Sequence, residues 1–283
     1  MMLFQIQSRP ILNRTKSPMN KRFTFGIFLF NILLVTCLHK IQAKTTLAPD
    51  LNLKPWQNFL TKYIDTTGAD GLNRLNYKTV TKEDKKSLED FLLQAQDLPI
   101  SKFPSEKQRA TWINIYNVQT VIAVLDHFPI KSIRDIQKPN TSGKSLSAWD
   151  IPLLKIEGQS LTLNNIENDI LRKKWADPRI HFALNCASIG CPNLSATVFT
   201  AENLNTKLES GARKFLNSKR AQNFSNGKLM LSSLFDWYKT DFGGTDSSVL
   251  TFISKFNTTE NAAQLQAYSG KIEYQYDWNL NSK

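Results

Sequence analysis

The stretch HFALNCASIGCP, residues 181–192, decides how the rest of this chain is interpreted. The seven residues 179–185, Arg-Ile-His-Phe-Ala-Leu-Asn, are mostly apolar and predict a short buried strand. The small residues between Cys186 and Cys191 predict that the strand ends in a loop. We expect a functional site at the end of this buried strand, because a thiol, an amide, a hydroxyl and a glycine follow one another there.

The amino-terminal segment has the order of a secretory signal. A basic pair, Lys21-Arg22, precedes an apolar run over residues 23–38, and the small-residue site Ile41-Gln42-Ala43 follows. The run of 16 residues is shorter than the roughly 20 that a membrane-spanning helix needs. The pattern favours a cleaved signal. An uncleaved anchor and lipidation at Cys37 are the alternatives.

The expected domain organisation follows from this cleavage. Residues 1–43 are expected to form the signal peptide. If translation begins at Met19, where the signal pattern starts, residues 1–18 precede the true start of the protein. Residues 44–283 are long enough to bury one core and are expected to form a single globular domain. We expect the mature protein, which begins near Lys44, to be periplasmic or secreted, with no stable membrane span after cleavage.

The charge of the chain argues against one class of partner. Residues 1–43 carry six basic residues and no acidic one, so their removal lowers the formal net charge from +12 to +6. A mildly basic domain without a block of lysines and arginines does not predict nucleic-acid binding.

Several kinds of functional motif are absent from the sequence. Gly-rich phosphate loops, dinucleotide fingerprints and serine-nucleophile elbows are missing, so no cofactor is expected. The acidic residues available as metal ligands are scattered and lack the tight spacing with His or Cys that metal sites show, so no metal site is expected. These are Glu167, Asp236, Asp241 and Asp277.

The pattern of apolar residues predicts more helices than strands. The longest predicted helix begins at Ser105, where Gln108 completes a capping-box pattern, and ends before Pro129. A tight turn at Glu157-Gly158 predicts a hairpin over residues 149–163. The expected fold class is α+β, a mostly helical single domain around a small mixed β-sheet.

Asn114 and Asn117 interrupt the apolar face of the long helix. Buried amides need hydrogen-bond partners, because an unpaired one costs a few kcal/mol. Two interpretations stay open: the amides bind the backbone of a neighbouring loop, or they line a pocket. In either case we expect both to be buried close to the loop that follows the predicted strand.

Cys186 and Cys191 are the only cysteines after residue 43. Two cysteines outside the cytoplasm are paired more often than not, and four intervening residues are enough to close the ring. Such a short loop gives little global stabilisation, so the bond would mainly fix the shape of the loop. The alternative is that Cys186 is a free thiol that acts as a nucleophile.

A nucleophilic thiolate needs a base within reach. His127 and His181 are the only histidines after the signal. An extended strand would put His181 and Cys186 roughly 16 Å apart and on opposite faces, unless the chain folds back after Asn185. The catalytic candidates are therefore Cys186 with His181, as a thiol hydrolase or acyl-transferase.

A binding function is the preferred interpretation. The loop, the buried amides and nearby aromatic side chains predict a groove for an unknown small molecule or a protein partner. The candidate ligand-binding residues are Asn114, Asn117, Asn185, Ser188 and Trp278.

Five stretches resemble the family catalogued as domain of unknown function 547. They are TWINIYN (111–117), HFPIKSIRDI (127–136), SLTLNNIENDILR (160–172), DPRIHFALNCASIGCP (177–192) and YDWNLN (276–281). The resemblance extends over residues 56–281, nearly all of the predicted mature chain, and the motifs are long and specific.

The resemblance implies little about activity. Exported bacterial members are similar in leader and length, and eukaryotic members carry the domain on larger proteins. The family motif includes a histidine and a first thiol that correspond to His181 and Cys186 here. The second thiol, here Cys191, is a feature of the bacterial type of motif, so the resemblance favours a role for Cys186 beyond pairing.

Overall fold

The computed structural model describes residues 50–141 and 143–283, which belong to one compact unit. The predicted signal peptide lies outside the described residues. The α-helices within the described part are α1 Lys54–Tyr63, α2 Lys82–Gln96, α3 Ser105–His127, α4 Lys173–Trp175, α5 Leu204–Leu216, α6 Leu234–Trp237, α7 Asp246–Ser254 and α8 Thr259–Ala267. A π-helix, Asn165–Arg172, directly precedes α4.

Short strands form three hairpins and one larger sheet. The hairpins are β1 Ile64–Asp65 with β2 Arg74–Leu75, β3 Gln137–Pro139 with β4 Ser145–Ser147, and β5 Leu154–Ile156 with β6 Gln159–Leu161. The sheet contains β7 Gln222–Ser225, β8 Lys228–Ser232 and β9 Ile272–Gln275. Because β8 pairs antiparallel with β7 and parallel with β9, the sheet is mixed, and the predicted α+β class is confirmed.

Helix α3 is the central element of the fold. Every residue from Gln108 to Val124 is buried, which is expected of a helix that is surrounded by other elements rather than packed on one face. The prediction that this helix ends before Pro129 is confirmed, since it ends at His127, but the predicted capping box is not formed. Gln108 instead donates to the carbonyl oxygen of Phe103 at 2.6 Å, and the Ser105 hydroxyl accepts from the Trp175 indole.

The prediction of a strand over residues 179–185 is wrong. Pro178–Phe182 form a 3-10 helix, and Ala183 continues in a helical conformation. The reason is local, because the Asp177 side chain accepts from the Arg179 N–H and a proline occupies the first helical position. Both features favour a helix start, and they outweigh the strand-like run of apolar residues.

Two hydrophobic cores lie side by side. The first packs α1, α2 and α3 against the β5–β6 hairpin, and the second packs the mixed sheet against α6, α7 and α8. Helix α5 contributes to both, with Leu208 in the first core and Phe215 in the second. A Cβ at Gly211 of α5 would lie 3.0 Å from the carbonyl oxygen of Phe182, so glycine allows α5 to approach the 3-10 helix closely.

Among the described residues, no helix is long and apolar enough to cross a bilayer.

Candidate functional site

A cavity of about 240 Å³ lies where the two cores meet. Its polar lining includes Glu167 from the π-helix, His181 from the 3-10 helix and Cys186 from the loop that follows. Its walls are largely aromatic and come from distant parts of the chain. These aromatic residues are Tyr116, Trp149, Trp237, Tyr238, Tyr276 and Trp278.

His181 is held between two carboxylates. Its Nε2 lies 2.7 Å from Oδ2 of Asp241, and its Nδ1 lies 3.6 Å from Oε1 of Glu167. The imidazole also stacks on the Tyr238 ring, with 4.0 Å between ring centroids. The side chain is 1% exposed, so both nitrogens face protein acids rather than water.

This environment favours the charged form of His181. Burial alone would lower the pKa of His181, but the carboxylates of Asp241 and Glu167 outweigh burial and raise it. Burial acts in the opposite direction on Glu167, yet the neighbouring His181 holds the pKa of this carboxyl below its usual range. The two groups therefore form a buried ion pair, and Tyr116 donates a hydrogen bond to Oε2 of Glu167 at 3.1 Å.

Arg172 completes the charged cluster. Its Nε and Nη2 donate to the two oxygens of Asp241 at 2.6 and 2.7 Å, the bidentate geometry that is strongest for this pair. Hydrogen bonds in a π-helix run from i to i+5, so Glu167 and Arg172 lie about one turn apart. Both therefore reach the region of His181, and two cations balance two carboxylates.

The described part of the chain contains no group of three or more His, Cys, Asp or Glu side chains arranged to hold a metal ion.

Cys186 and Cys191 are joined by a disulfide. Cys186 is half-buried and lines the cavity, whereas Cys191 is only 1% exposed. The Tyr276 hydroxyl lies 3.1 Å from Sγ of Cys186 and accepts from the Ser188 hydroxyl at 3.0 Å. The disulfide therefore has one sulfur in the cavity wall and the other in the protein interior.

The closing segment of the chain fixes this loop. The N–H of Ile189 donates to the carbonyl of Asn279, and the N–H of Gly190 donates to that of Asp277, both at 2.8 Å. A Cβ at Gly190 would lie 2.8 Å from the backbone nitrogen of Asp277, so only glycine fits without displacement. This contact explains why the 177–192 and 276–281 motifs belong to one structural unit.

The aromatic wall is a contiguous cluster. Trp278 stacks on Trp237 at 5.4 Å between centroids, and Tyr276 lies 4.6 Å from Trp278. Trp149 meets Trp278 edge-on at 5.8 Å. Trp237 is 48% exposed, so the cluster forms a rim that solutes can reach.

Asn114, Asn117 and Asn185 are each 1% exposed and hold backbone rather than line the cavity. Asn117 donates to the Ala183 carbonyl at 2.9 Å and accepts from the N–H of Asn185 at 2.8 Å. Asn114 makes the same paired contact with both backbone groups of Phe199. These bonds support the first interpretation of the helix amides, and those of Asn117 hold the segment that lines the cavity.

The Asn185 side chain organises the start of the loop. Its Oδ1 accepts from the N–H of Ala187 at 3.0 Å, and Ala187 adopts a positive φ of 51°. This N–H is therefore occupied and does not point freely into the cavity. Of the predicted site residues, His181, Cys186 and Trp278 line the cavity, and Ser188 touches it through the Tyr276 hydroxyl.

Sequence reasoning did not connect His181 with its charged partners. In the sequence, Glu167 and Asp241 are two of several scattered acidic residues, and no pattern there marks Arg172 as their partner. Glu167 and Arg172 both lie in the stretch SLTLNNIENDILR. The resemblance of this stretch to the family was therefore the sequence feature that could have identified them as site residues. Tyr238 lies in the aromatic stretch after Leu234, and nothing in that stretch indicates that its ring stacks on His181.

Comparison with known proteins gives a family match. The family model described as "Protein of unknown function, DUF547" matches residues 100–216, which include Glu167, His181 and both cysteines of the loop. Neither a curated protein nor a solved structure matches the chain.

Proposed function

We propose that this domain, in which residues 100–216 match the DUF547 family model, binds a small, uncharged molecule in the aromatic-walled cavity. The observation that carries the proposal is the convergence of three tryptophans with Glu167 and His181 around one space of about 240 Å³. Ligand sites are typically concave and mostly apolar, with a few fixed polar groups that orient the ligand.

The balance of charge supports an uncharged ligand. The acidic and basic side chains in the lining, Glu167 and His181, neutralise each other, and Asp241 is neutralised by Arg172. A charged ligand would therefore meet no surplus of opposite charge in this cavity. Hydroxyl or amide groups of a neutral ligand can bond to Asn164 and Ser147, which lie in the same lining.

The size and shape of the cavity limit the ligand further. An apolar cavity of roughly 150 Å³ holds one benzene ring. The larger cavity here therefore suits a single ring with substituents. The faces of Trp237 and Trp278 offer flat stacking surfaces, and aromatic contacts of this kind contribute about 0.5–1.5 kcal/mol beyond the area that they bury.

We further propose that the domain acts outside the cytoplasm. The support is the signal-like leader over residues 1–43 and the disulfide between the only two cysteines that follow it. Amino-terminal sequencing of exported protein tests this proposal. A sequence beginning near Lys44 is expected, whereas a lipidated Cys37 or retention of the leader would contradict it.

Binding is tested with a panel of single-ring neutral compounds, monosaccharides and phenols, titrated against tryptophan fluorescence. Trp237→Ala removes an exposed wall of the cavity and is expected to weaken binding about tenfold, which corresponds to about 1.4 kcal/mol. Trp175→Ala is the matched control, because Trp175 lies outside the cavity lining. Absence of binding by every compound, or equal effects of the two substitutions, would contradict the proposal.

A thiol hydrolase or acyl-transferase is the second candidate, favoured by one observation. Cys186 and His181 line the same cavity, where an extended strand would have placed them on opposite faces. In the disulfide form, Cys186 has no free thiol. Cys191→Ser leaves Cys186 permanently free, so this candidate predicts that the variant cleaves 4-nitrophenyl acetate without added reductant. An inactive Cys191→Ser protein that remains folded would eliminate it.

A further inference from the structure

A second cavity, of about 680 Å³, lies behind the wall of the first. Phe182 and Ala183 line this second cavity, whereas His181, Leu184 and Cys186 line the first. The backbone of residues 181–186 therefore separates two spaces. The second cavity has charged side chains in its lining and has no part in the function proposed above.

Three cations line the second cavity: Lys207, Lys214 and Arg220. Within the described ranges 50–141 and 143–283, none of the three has a carboxylate at ion-pair distance. Asp70 is the acidic residue in the lining, and both of its oxygens are already bonded to Arg74. The lining therefore has a surplus of positive charge.

Lys207 is fixed in place but its charge is not neutralised. Its ammonium group donates to the Ser195 hydroxyl and to the carbonyl of Thr197, both at 2.6 Å. It also lies 4.6 Å from the centroid of the Phe199 ring. Burial, with a smaller contribution from Lys214, lowers the pKa of Lys207 to about 8, as expected for a cation without a counterion.

Arg220 is held in the same way. Its guanidinium donates to the carbonyl of Ile189 at 3.0 Å, to the carbonyl of Cys191 and to Oδ1 of Asn193 at 3.0 Å. All three acceptors are uncharged, and burial lowers the pKa of Arg220. Because the carbonyls of Ile189 and Cys191 belong to the disulfide loop, Arg220 joins the second cavity to the wall of the first.

We propose that the second cavity is a binding site for a small polyanion, a ligand with two or more negative charges. Half-buried charges that lack a counterion are costly, and an anion between them would remove part of that cost. The hydrogen bonds of Lys207 and Arg220 fix both cations before binding, so little ordering is needed when the ligand arrives.

The experiment is calorimetric titration of the protein with pyrophosphate and with citrate. Each titration is made at low salt, with chloride used to bring the two solutions to the same ionic strength. Pyrophosphate and citrate distinguish a phosphoryl from a carboxylate ligand of the same polyanionic chemistry. The wild-type protein is expected to bind at least one of them, with affinity that falls as salt rises. Lys214→Gln, at an exposed position of α5, is expected to weaken binding several-fold, and Lys207→Met at least tenfold.

Lys155→Gln is the matched control, because it removes one positive charge at an exposed position on β5 outside the cavity. Thermal melts establish that each variant is folded, and Lys214→Gln keeps the test valid if Lys207→Met does not fold. Absence of binding to the wild type would overturn the proposal. Equal affinities for Lys214→Gln, Lys155→Gln and the wild type would overturn it as well.

Discussion

Nε2 of His181 lies 2.7 Å from Oδ2 of Asp241, although 60 positions separate the two residues. Nδ1 of the same ring faces Glu167 at 3.6 Å. Three separate segments of the chain therefore meet at one buried imidazole, and they do so at the base of the aromatic-walled cavity. The cluster stabilises the junction between the two cores and fixes the polar end of the proposed binding site.

His181→Leu is expected to destabilise the domain by about 3–5 kcal/mol, because it leaves the buried Glu167 carboxylate without its partner. Urea unfolding measures the change. In the double variant His181→Leu/Glu167→Leu the loss is expected to be smaller than the sum of the single losses. A cost below about 1 kcal/mol for the single variant would show that the ion pair does not support the fold.

Stability is expected to depend on pH in a defined direction. Folding raises the pKa of His181, so its contribution is complete below its unfolded value of about 6.5 and is lost as the pH rises through the folded pKa. Folding lowers the pKa values of Asp241 and Glu167, so their contributions are lost as the pH falls through the folded values.

The free energy of unfolding of the wild type should therefore decrease as the pH is raised above about 6.5. His181→Gln should remove this part of the pH dependence. Urea melts at intervals between pH 5 and pH 8 measure both proteins. The same slope above pH 6.5 in the wild type and in the variant would contradict the assignment.

Asn117→Leu is expected to cost about 1–3 kcal/mol, because it strands the Ala183 carbonyl and the N–H of Asn185 in a buried environment. Asn261→Leu, at an exposed position of α8, serves as the control and should change stability by no more than about 0.5 kcal/mol. Equal effects of the two substitutions in urea melts would mean that Asn117 does not hold the loop.

Cys186→Ser and Cys191→Ser are expected to have equal, modest effects on stability, about 2 kcal/mol or less, because the disulfide closes a short loop. Native protein should resist iodoacetamide until it is reduced. After reduction, Cys186 should react faster than Cys191, because only Cys186 reaches the cavity. Labelling of Cys186 without reductant would contradict the paired state.

The long helix, the hairpin at Glu157-Gly158 and the buried amides could be predicted, because each depends on a local pattern of residues. The strand over residues 179–185 was wrongly predicted, since apolar periodicity in a short run does not distinguish a strand from a helical turn, and the Asp177-Pro178 start favours the turn. The partners of His181 could not be predicted, because Glu167 and Asp241 approach it only after the two cores have packed.

The central claim, that the aromatic-walled cavity binds a small uncharged molecule, is tested most directly by the indole N–H resonances of the six tryptophans. Three of them, Trp149, Trp237 and Trp278, line the cavity, and the other three do not. Titration with a compound of the neutral panel should shift the three cavity resonances and leave those of Trp56, Trp112 and Trp175 in place. No shift with any compound, or equal shifts across all six, would contradict the claim.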